Sequence, residues 1–286
     1  MENTPKQASL PLYYLQRFAY STDTQKIGLA QIDKATNTSL ADLSSLGCQS
    51  ILDNQEEGLD AKAAELIEKI ITDARLPKSN SEETSLIRKI CYGFSSFPAF
   101  KEDEENSLEI KLIHNQAEKP FLTSDNPVVF LNPSLETKGQ IRPNAPFTTN
   151  GIQIIFPISP DFAFLFFDSK TYKVGATAMK TVEVKDDALV QRLNLLQVVN
   201  SKTFCYFNEH LLDFEVETLM RKATKFRNDL IHFFKQRTVE TINGPELCVA
   251  NQKMNFIKEI HEIKRMSELE AMPQKDKYGR YPKLKY

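Results

Sequence analysis

The chain is expected to fold as an α+β protein, with a mixed, mostly antiparallel sheet from about 108 to 207 covered by helices from the N-terminal third and the C-terminal part. Two observations predict this. Short β-branched and aromatic runs broken by turn residues gather between 108 and 207. Helical periodicity is clearest before them, over 59–75, and returns after them from Asp213 onward.

The elements follow in order. Leu10–Tyr20 is a compact aromatic segment after a Pro, read as a short helix or turn packing Tyr14, Leu15 and Phe18 inward. Lys26–Asp33 alternates as a strand, Asp33–Asn37 is a hairpin turn, and Leu40–Leu46 is the return strand. Over 59–75, Ala63, Leu66, Ile67, Ile70 and Ile71 share one helical face, and Pro77 ends the helix. Ser81 caps a second helix running through Tyr92, and the acidic run Glu102–Glu105 is a solvated loop. Strands are expected at Glu109–His114, within Phe121–Phe130, at Ile152–Ile158, Phe162–Asp168, Thr181–Lys185 and Thr203–Phe207. Ser159-Pro160-Asp161 makes a tight turn, and Asp186-Asp187 starts a helix to about Asn200 with Val190, Leu193, Leu196 and Gln197 in register. Asp213–Arg237 reads as two helical pieces. Lys253–Leu269 reads as a helix with Phe256, Ile257, Ile260, Ile263 and Met266 on one stripe. The domain organisation is then one α+β domain over 1–240, followed over 241–286 by the C-terminal helix and a basic, Tyr-containing tail.

Composition narrows the classes. With 286 residues, 41% hydrophobic and 26% charged, the chain can bury a sizeable core. A net charge of −2 gives no global pull toward nucleic acid or anionic membrane, so such binding would need a local patch. No apolar run reaches the roughly 18–20 residues of a membrane span. The polar start Met1–Gln7 lacks the apolar core of a signal peptide, which points to a cytoplasmic protein. Cys48, Cys91, Cys205 and Cys248 are far apart, form no CxxC pair and are expected as reduced thiols.

The most informative stretch is Phe121-Leu122-Thr123-Ser124-Asp125-Asn126-Pro127-Val128-Val129-Phe130. Its polar kernel between apolar runs reads as strand, turn, strand. Ser, Asp and Asn can bond nearby backbone amides, and Pro fixes the exit direction. Two readings stay open: a structural Asx-type turn, or Asp125 and Asn126 projecting from a strand end into a site.

Standard catalytic motifs are missing: no P-loop, GxGxxG, GxSxG or HExxH occurs, and nine glycines leave little for phosphate-cradling loops. Metal-dependent hydrolysis needs clustered carboxylates. The candidates are Glu57, Glu65 and Glu68, then Asp125, Asp161 and Asp168, and Asp125 is favoured as catalytic residue and as ligand of a divalent metal. His114 ends a strand and is expected near Asp125 as base to its orienter, with Asn126 completing the catalytic set. Two basic zones, Arg221–Arg237 and the tail with Tyr278, Tyr281 and Tyr286, offer phosphate contacts and base stacking. From them Lys225, Arg227, Arg237, Lys277 and Arg280 are the expected nucleic-acid contacts.

The kernel Phe121–Val128 resembles a hallmark of a mainly bacterial family, domain-of-unknown-function family 4238. Leu10–Phe18 is similar to that family's opening His-x-x-Pro-x-x-Tyr-Leu-x-x-Phe, Phe156–Pro160 to its Pro-Leu-Ser-Pro strand end, and Asn194 with Cys205-Tyr206 to its Asn helix and Tyr strand. Two departures stand out. Ala8 and Ser9 occupy the place of the opening His, and Leu86–Phe100 offers only Arg88 and Lys89 where the family has a Gln- and Arg-rich helix. The resemblance implies a fold and a bacterial setting, and little about activity.

These observations lead to an expected function as a cytoplasmic bacterial effector acting on nucleic acid, a phage-defence or toxin-type nuclease whose metal would sit on Asp125. The alternative is a non-enzymatic interaction or sensor module that docks a protein partner through Lys253–Leu269.

Overall fold

A computed structural model describes residues 10–20, 25–32, 38–54, 56–79, 81–95, 108–131, 151–176, 178–236 and 263–265, with 225–236 and 263–265 described by backbone alone. Pro11 leads into a one-turn helix α1 (Leu12–Leu15) and a 3-10 turn (Gln16–Phe18), and Tyr14, Leu15 and Phe18 are buried, as their pattern predicts. The N-terminal hairpin forms between β1 (Lys26–Gln31) and β2 (Thr38–Asp42). Helix α2 (Leu59–Asp73) buries the apolar face read from the sequence, and Ser81 caps α3 (Glu82–Gly93) by accepting from the Thr84 amide at 3.2 Å.

The α+β class is as expected, but the strands divide into two larger sheets instead of one. The first is all antiparallel, in the order β2-β1-β10-β4, with β10 at Phe204–Phe207 and β4 at Thr123–Ser124. The second runs β5-β6-β7-β3-β9, with β3 (Glu109–Asn115), β5 (Val129–Leu131), β6 (Gln153–Pro157), β7 (Phe162–Phe167) and β9 (Thr181–Val184). Only β3 and β9 pair in parallel, so the sheet is mixed and mostly antiparallel. The N-terminal hairpin captures β10 at the edge of β1, a long-range pairing that leaves no local trace in the sequence. Gly28 stands opposite Phe207, and a Cβ there would come within 2.5 Å of the Phe207 ring, so the ring packs directly over the backbone.

Alternation then decides what covers each face. On β7, Phe162, Phe164 and Phe166 face a core shared with α1, α2 and α3, while Ala163, Leu165 and Phe167 face a second core built with α4 (Asp187–Asn200) and α5 (Asp213–Gln236). Strand β10 does the same with Phe204 and Tyr206 against Cys205 and Phe207. Both faces are covered, which is why β6 and β7 read as continuous apolar runs. Cys91 and Cys205 are buried, Cys48 is half-buried, and none of the three is in a disulfide.

Two C-terminal expectations are corrected. The two pieces over Asp213–Arg237 are one helix through Gln236, in which the Thr218 and Thr224 hydroxyls bond the carbonyls four residues back, at 2.7 and 2.9 Å, without breaking the turn. The stretch Lys253–Leu269 is not a continuous helix: Ile263–Arg265 forms β11, antiparallel to β8 (Tyr172–Val174). Sheet pairing overrides the helical stripe there. The remainder of that stretch and the tail lie outside the described residues.

Candidate functional site

The Ser124-Asp125-Asn126-Pro127 kernel is the crossing from the first sheet to the second, with β4 before it and β5 after it. A crossing cannot satisfy its own backbone, and here side chains do so. Helix α4 presents three amides at i, i+3 and i+6. Asn194 accepts from the Leu122 amide at 3.0 Å and donates to the Pro120 carbonyl at 2.9 Å. Gln197 donates to the Pro127 carbonyl at 2.7 Å and accepts from the Ser124 hydroxyl at 3.2 Å. Asn200 donates to the carbonyls of Asn126 and Val128, and the Asn126 amide group returns a bond to the Asn200 carbonyl at 3.0 Å.

Asp125 completes the clasp. Its carboxylate accepts from the amides of Lys202, Thr203 and Phe204 at 2.7, 2.7 and 3.1 Å, and the side chain is buried. Burial pushes its carboxyl up, and the three amides and the Lys202 charge pull it partly back. The oxygens expected to hold a metal are thus engaged by main-chain donors. Among the described residues no three His, Cys, Asp or Glu side chains gather into a set that could hold a metal ion.

His114, expected beside Asp125, lies half-buried on β3 and stacks on Phe162 with ring centres 4.6 Å apart. The carboxylates its charge acts on are Asp161 in the β6–β7 turn and Glu183, its register partner on β9. Burial raises the Asp161 carboxyl, and the charges of His114 and His210 oppose that rise. Lys225 and Arg227 fall on the backbone of α5, behind Arg221 and Lys222, which are exposed. Arg237, Lys277 and Arg280 lie outside the described residues.

Asp161 and His210 instead belong to a cleft of about 860 Å³. One wall is Tyr13, Arg17 and Tyr20 with Glu68 of α2. The other is Glu118, the Ser159–Asp161 turn and Asn208–His210 after β10. Arg17 is held in place, Nη1 at 2.7 Å from the Glu68 carboxylate and Nη2 donating to the Ala64 carbonyl at 3.1 Å. Its Nε is buried without a hydrogen-bond partner among the described residues, and the Tyr13 hydroxyl faces the Asp60 carboxylate. Burial and the neighbouring Asp60 carboxylate push the Tyr13 hydroxyl well above its ordinary range, and burial, Asp213 and Glu209 raise Tyr20. Four carboxylates, Glu68, Glu118, Asp161 and Glu209, thus line the cleft with one guanidinium, which Glu68 already neutralises, and one imidazole, His210. Such a cleft attracts cations and repels phosphates. The sequence marked Glu68, Asp161 and His210 separately, but nothing local joins residues so far apart in the chain.

Residues 102–210 match the model of a family described as a protein of unknown function, DUF4238, which bears out the resemblance drawn from Phe121–Val128. The match takes in the crossing, the Pro157–Pro160 strand end, Asn194 and Tyr206, while the opening segment Leu10–Phe18 lies before it. No curated protein and no solved structure matches the chain. Among the described residues no helix is long and apolar enough to cross a membrane.

Proposed function

We propose that the protein is a binding module that takes a small organic cation, an amine on an alkyl body, into the cleft between α2 and the turns at Ser159–Asp161 and Asn208–His210. The carrying observation is the excess of carboxylates over cations around a cavity of about 860 Å³, a size ordinary for small-molecule sites. Tyr13 and Tyr20 supply aromatic faces for a cation, and Ile71 and Pro160 supply apolar surface for its stem. Calorimetry with spermidine as the probe tests this. Saturable binding that weakens about ten-fold in Glu209→Gln or Asp161→Asn, each removing one charge from the cleft lining, supports the reading. Spermidine heats no larger than dilution would end it.

An effector acting on nucleic acid, of the defence or toxin type, draws its support from a different surface. Arg221 and Lys222 are exposed on α5, and Lys225 and Arg227 follow on the same helix. Phosphate contacts there would give strongly salt-dependent binding. Labelled DNA and RNA, with and without divalent metal, separate the two readings: binding lost in an Arg221→Glu, Lys222→Glu variant favours the effector, and cleavage would add catalysis to it.

A further inference from the structure

One side chain in the lining of the acidic cleft belongs to the class that changes charge near neutrality. Carboxyl, guanidinium and phenol groups ordinarily keep one charge state between about pH 5.5 and 7.5, whereas an imidazole, ordinarily near 6.5, passes from neutral to cationic. That imidazole is His210. It shares the cleft with Tyr13, Arg17 and Tyr20 of the opening segment, Glu68 of α2, Glu118 after β3, Asp161 of the β6–β7 turn and Glu209 beside it in the chain. Asp213, at the start of α5, reaches the same region, since it acts with Glu209 on Tyr20.

Local bonds hold the two loops that carry Asp161 and His210. The Asp161 carbonyl accepts from the Asn115 amide of β3 at 2.7 Å, and the Asp161 amide donates to the Ser159 hydroxyl at 3.3 Å. After β10, the His210 amide donates to the Asn208 side chain at 3.2 Å and the Leu211 amide to the Asn208 carbonyl at 3.2 Å. The backbone under both groups is thereby fixed, and a charge on His210 reaches the Asp161 carboxylate. A second imidazole, His114, acts on the same carboxylate from outside the lining, where it stacks on Phe162 and stands opposite Glu183. With His210 neutral, four carboxylates line the cleft against one guanidinium. Protonation sets a second cation among them, in the space a ligand's amine would enter, and like charges so placed repel.

We propose that His210 is a pH gate on the cleft: neutral, it leaves the cation site open, and protonated, it drives the bound cation out. The gate rests on the cation reading of the cleft. Proton and ligand compete for one set of carboxylates, so the coupling is reciprocal, and a bound cation keeps the imidazole neutral down to a lower pH.

The test is calorimetry of the full chain with spermidine at pH 7.5 and at pH 5.5, at constant ionic strength, beside His210→Gln and His114→Gln. The alkyl amines of the probe keep their protons across this range, as the lysine amine does. Each protein is compared with itself at the two pH values, so any effect of the substitution common to both cancels. The parent's Kd is expected to rise about ten-fold on acidification, and that of His210→Gln by less than about three-fold. His114→Gln, whose ring lies outside the lining, keeps most of the parent's rise. In the parent, the His210 ring resonances followed by NMR should titrate at lower pH with spermidine present than without it. Binding at pH 7.5 that is equally tight at pH 5.5 overturns the gate and leaves the cation site standing. So does a rise that persists in full in His210→Gln, or one that vanishes in His114→Gln instead. The absence of spermidine binding at pH 7.5 ends the cation reading, and the gate with it.

Discussion

Asp125 and Phe204 are bonded in both directions: the Asp125 amide donates to the Phe204 carbonyl at 3.0 Å, and the Phe204 amide donates to the Asp125 carboxylate at 3.1 Å. With Lys202 and Thr203 also donating, one side chain fixes the start of β10 against the end of β4. Asp125→Ala leaves three amides without their acceptor, and charge-assisted bonds of this kind are worth about 1.5–3 kcal/mol each before compensation by water. A loss of about 3 kcal/mol in urea unfolding at pH 7 is expected, with Asp125→Asn recovering part of it. An Asp125→Ala protein with the parent's midpoint would show that the clasp carries no energy. A loss of any activity in that variant would report on folding before chemistry.

Tyr14 ties the opening helix to both sheets. Its hydroxyl lies 2.6 Å from the Thr123 hydroxyl on β4 and donates to the Pro157 carbonyl on β6 at 2.8 Å, fully buried, with its ring stacked on Phe156. Tyr14→Phe keeps the ring and strands the Pro157 carbonyl. The expected cost is about 1–3 kcal/mol, the desolvation penalty of one unpaired buried acceptor. Double-mutant analysis with Thr123→Val should give a non-additive result, because the two hydroxyls share one bond. Additive losses would mean that each hydroxyl acts alone.

The contrast between these contacts and the acidic cleft explains what could be read in advance. Helices α2, α3 and α4 carry their own signals: a one-sided apolar face on α2, Ser81 three residues before Thr84, and Asp186 two before Ala188. The strand-turn-strand form of Phe121–Phe130 was legible because turn chemistry is local. The partners of that turn were legible only in part. Asn194, Gln197 and Asn200 recur at the spacing of one helical side, a polar stripe amid buried neighbours, and such a stripe must meet polar backbone somewhere. Which backbone it meets depends on a sheet crossing that no window of sequence contains. The split into two sheets escaped for the same reason, since β1 finds β10 across more than half of the chain. Pairing His114 with Asp125 judges nearness along the chain, whereas the β3–β7 and β3–β9 registers set it opposite Phe162 and Glu183.

Asp168 closes the β7–β8 turn and gives the fold an acid-side sensitivity. Its carboxylate accepts from the Gly151 amide at 2.8 Å, the Lys170 amide at 3.0 Å and the Thr171 hydroxyl at 2.5 Å. Burial pushes the carboxyl up, but the Thr171 hydroxyl and the amides of Gly151, Lys170 and Thr171 outweigh it and hold the group below its ordinary range. An acid depressed on folding binds fewer protons in the native state than in the unfolded one. Its contribution is therefore complete above the unfolded value of about 3.9 and is lost as pH falls through the lower folded value. Asp168→Asn should thus be about 2 kcal/mol less stable than the parent at pH 7, with the difference shrinking below about pH 4 as the parent's carboxylate protonates. Urea midpoints of the two proteins at pH 7, 5, 4 and 3 measure this directly. Comparing the pair cancels the other acids, including Asp125, whose raised value acts in the opposite sense. A gap at pH 3 as wide as at pH 7 would mean that the shape of the side chain, and not its charge, holds the turn.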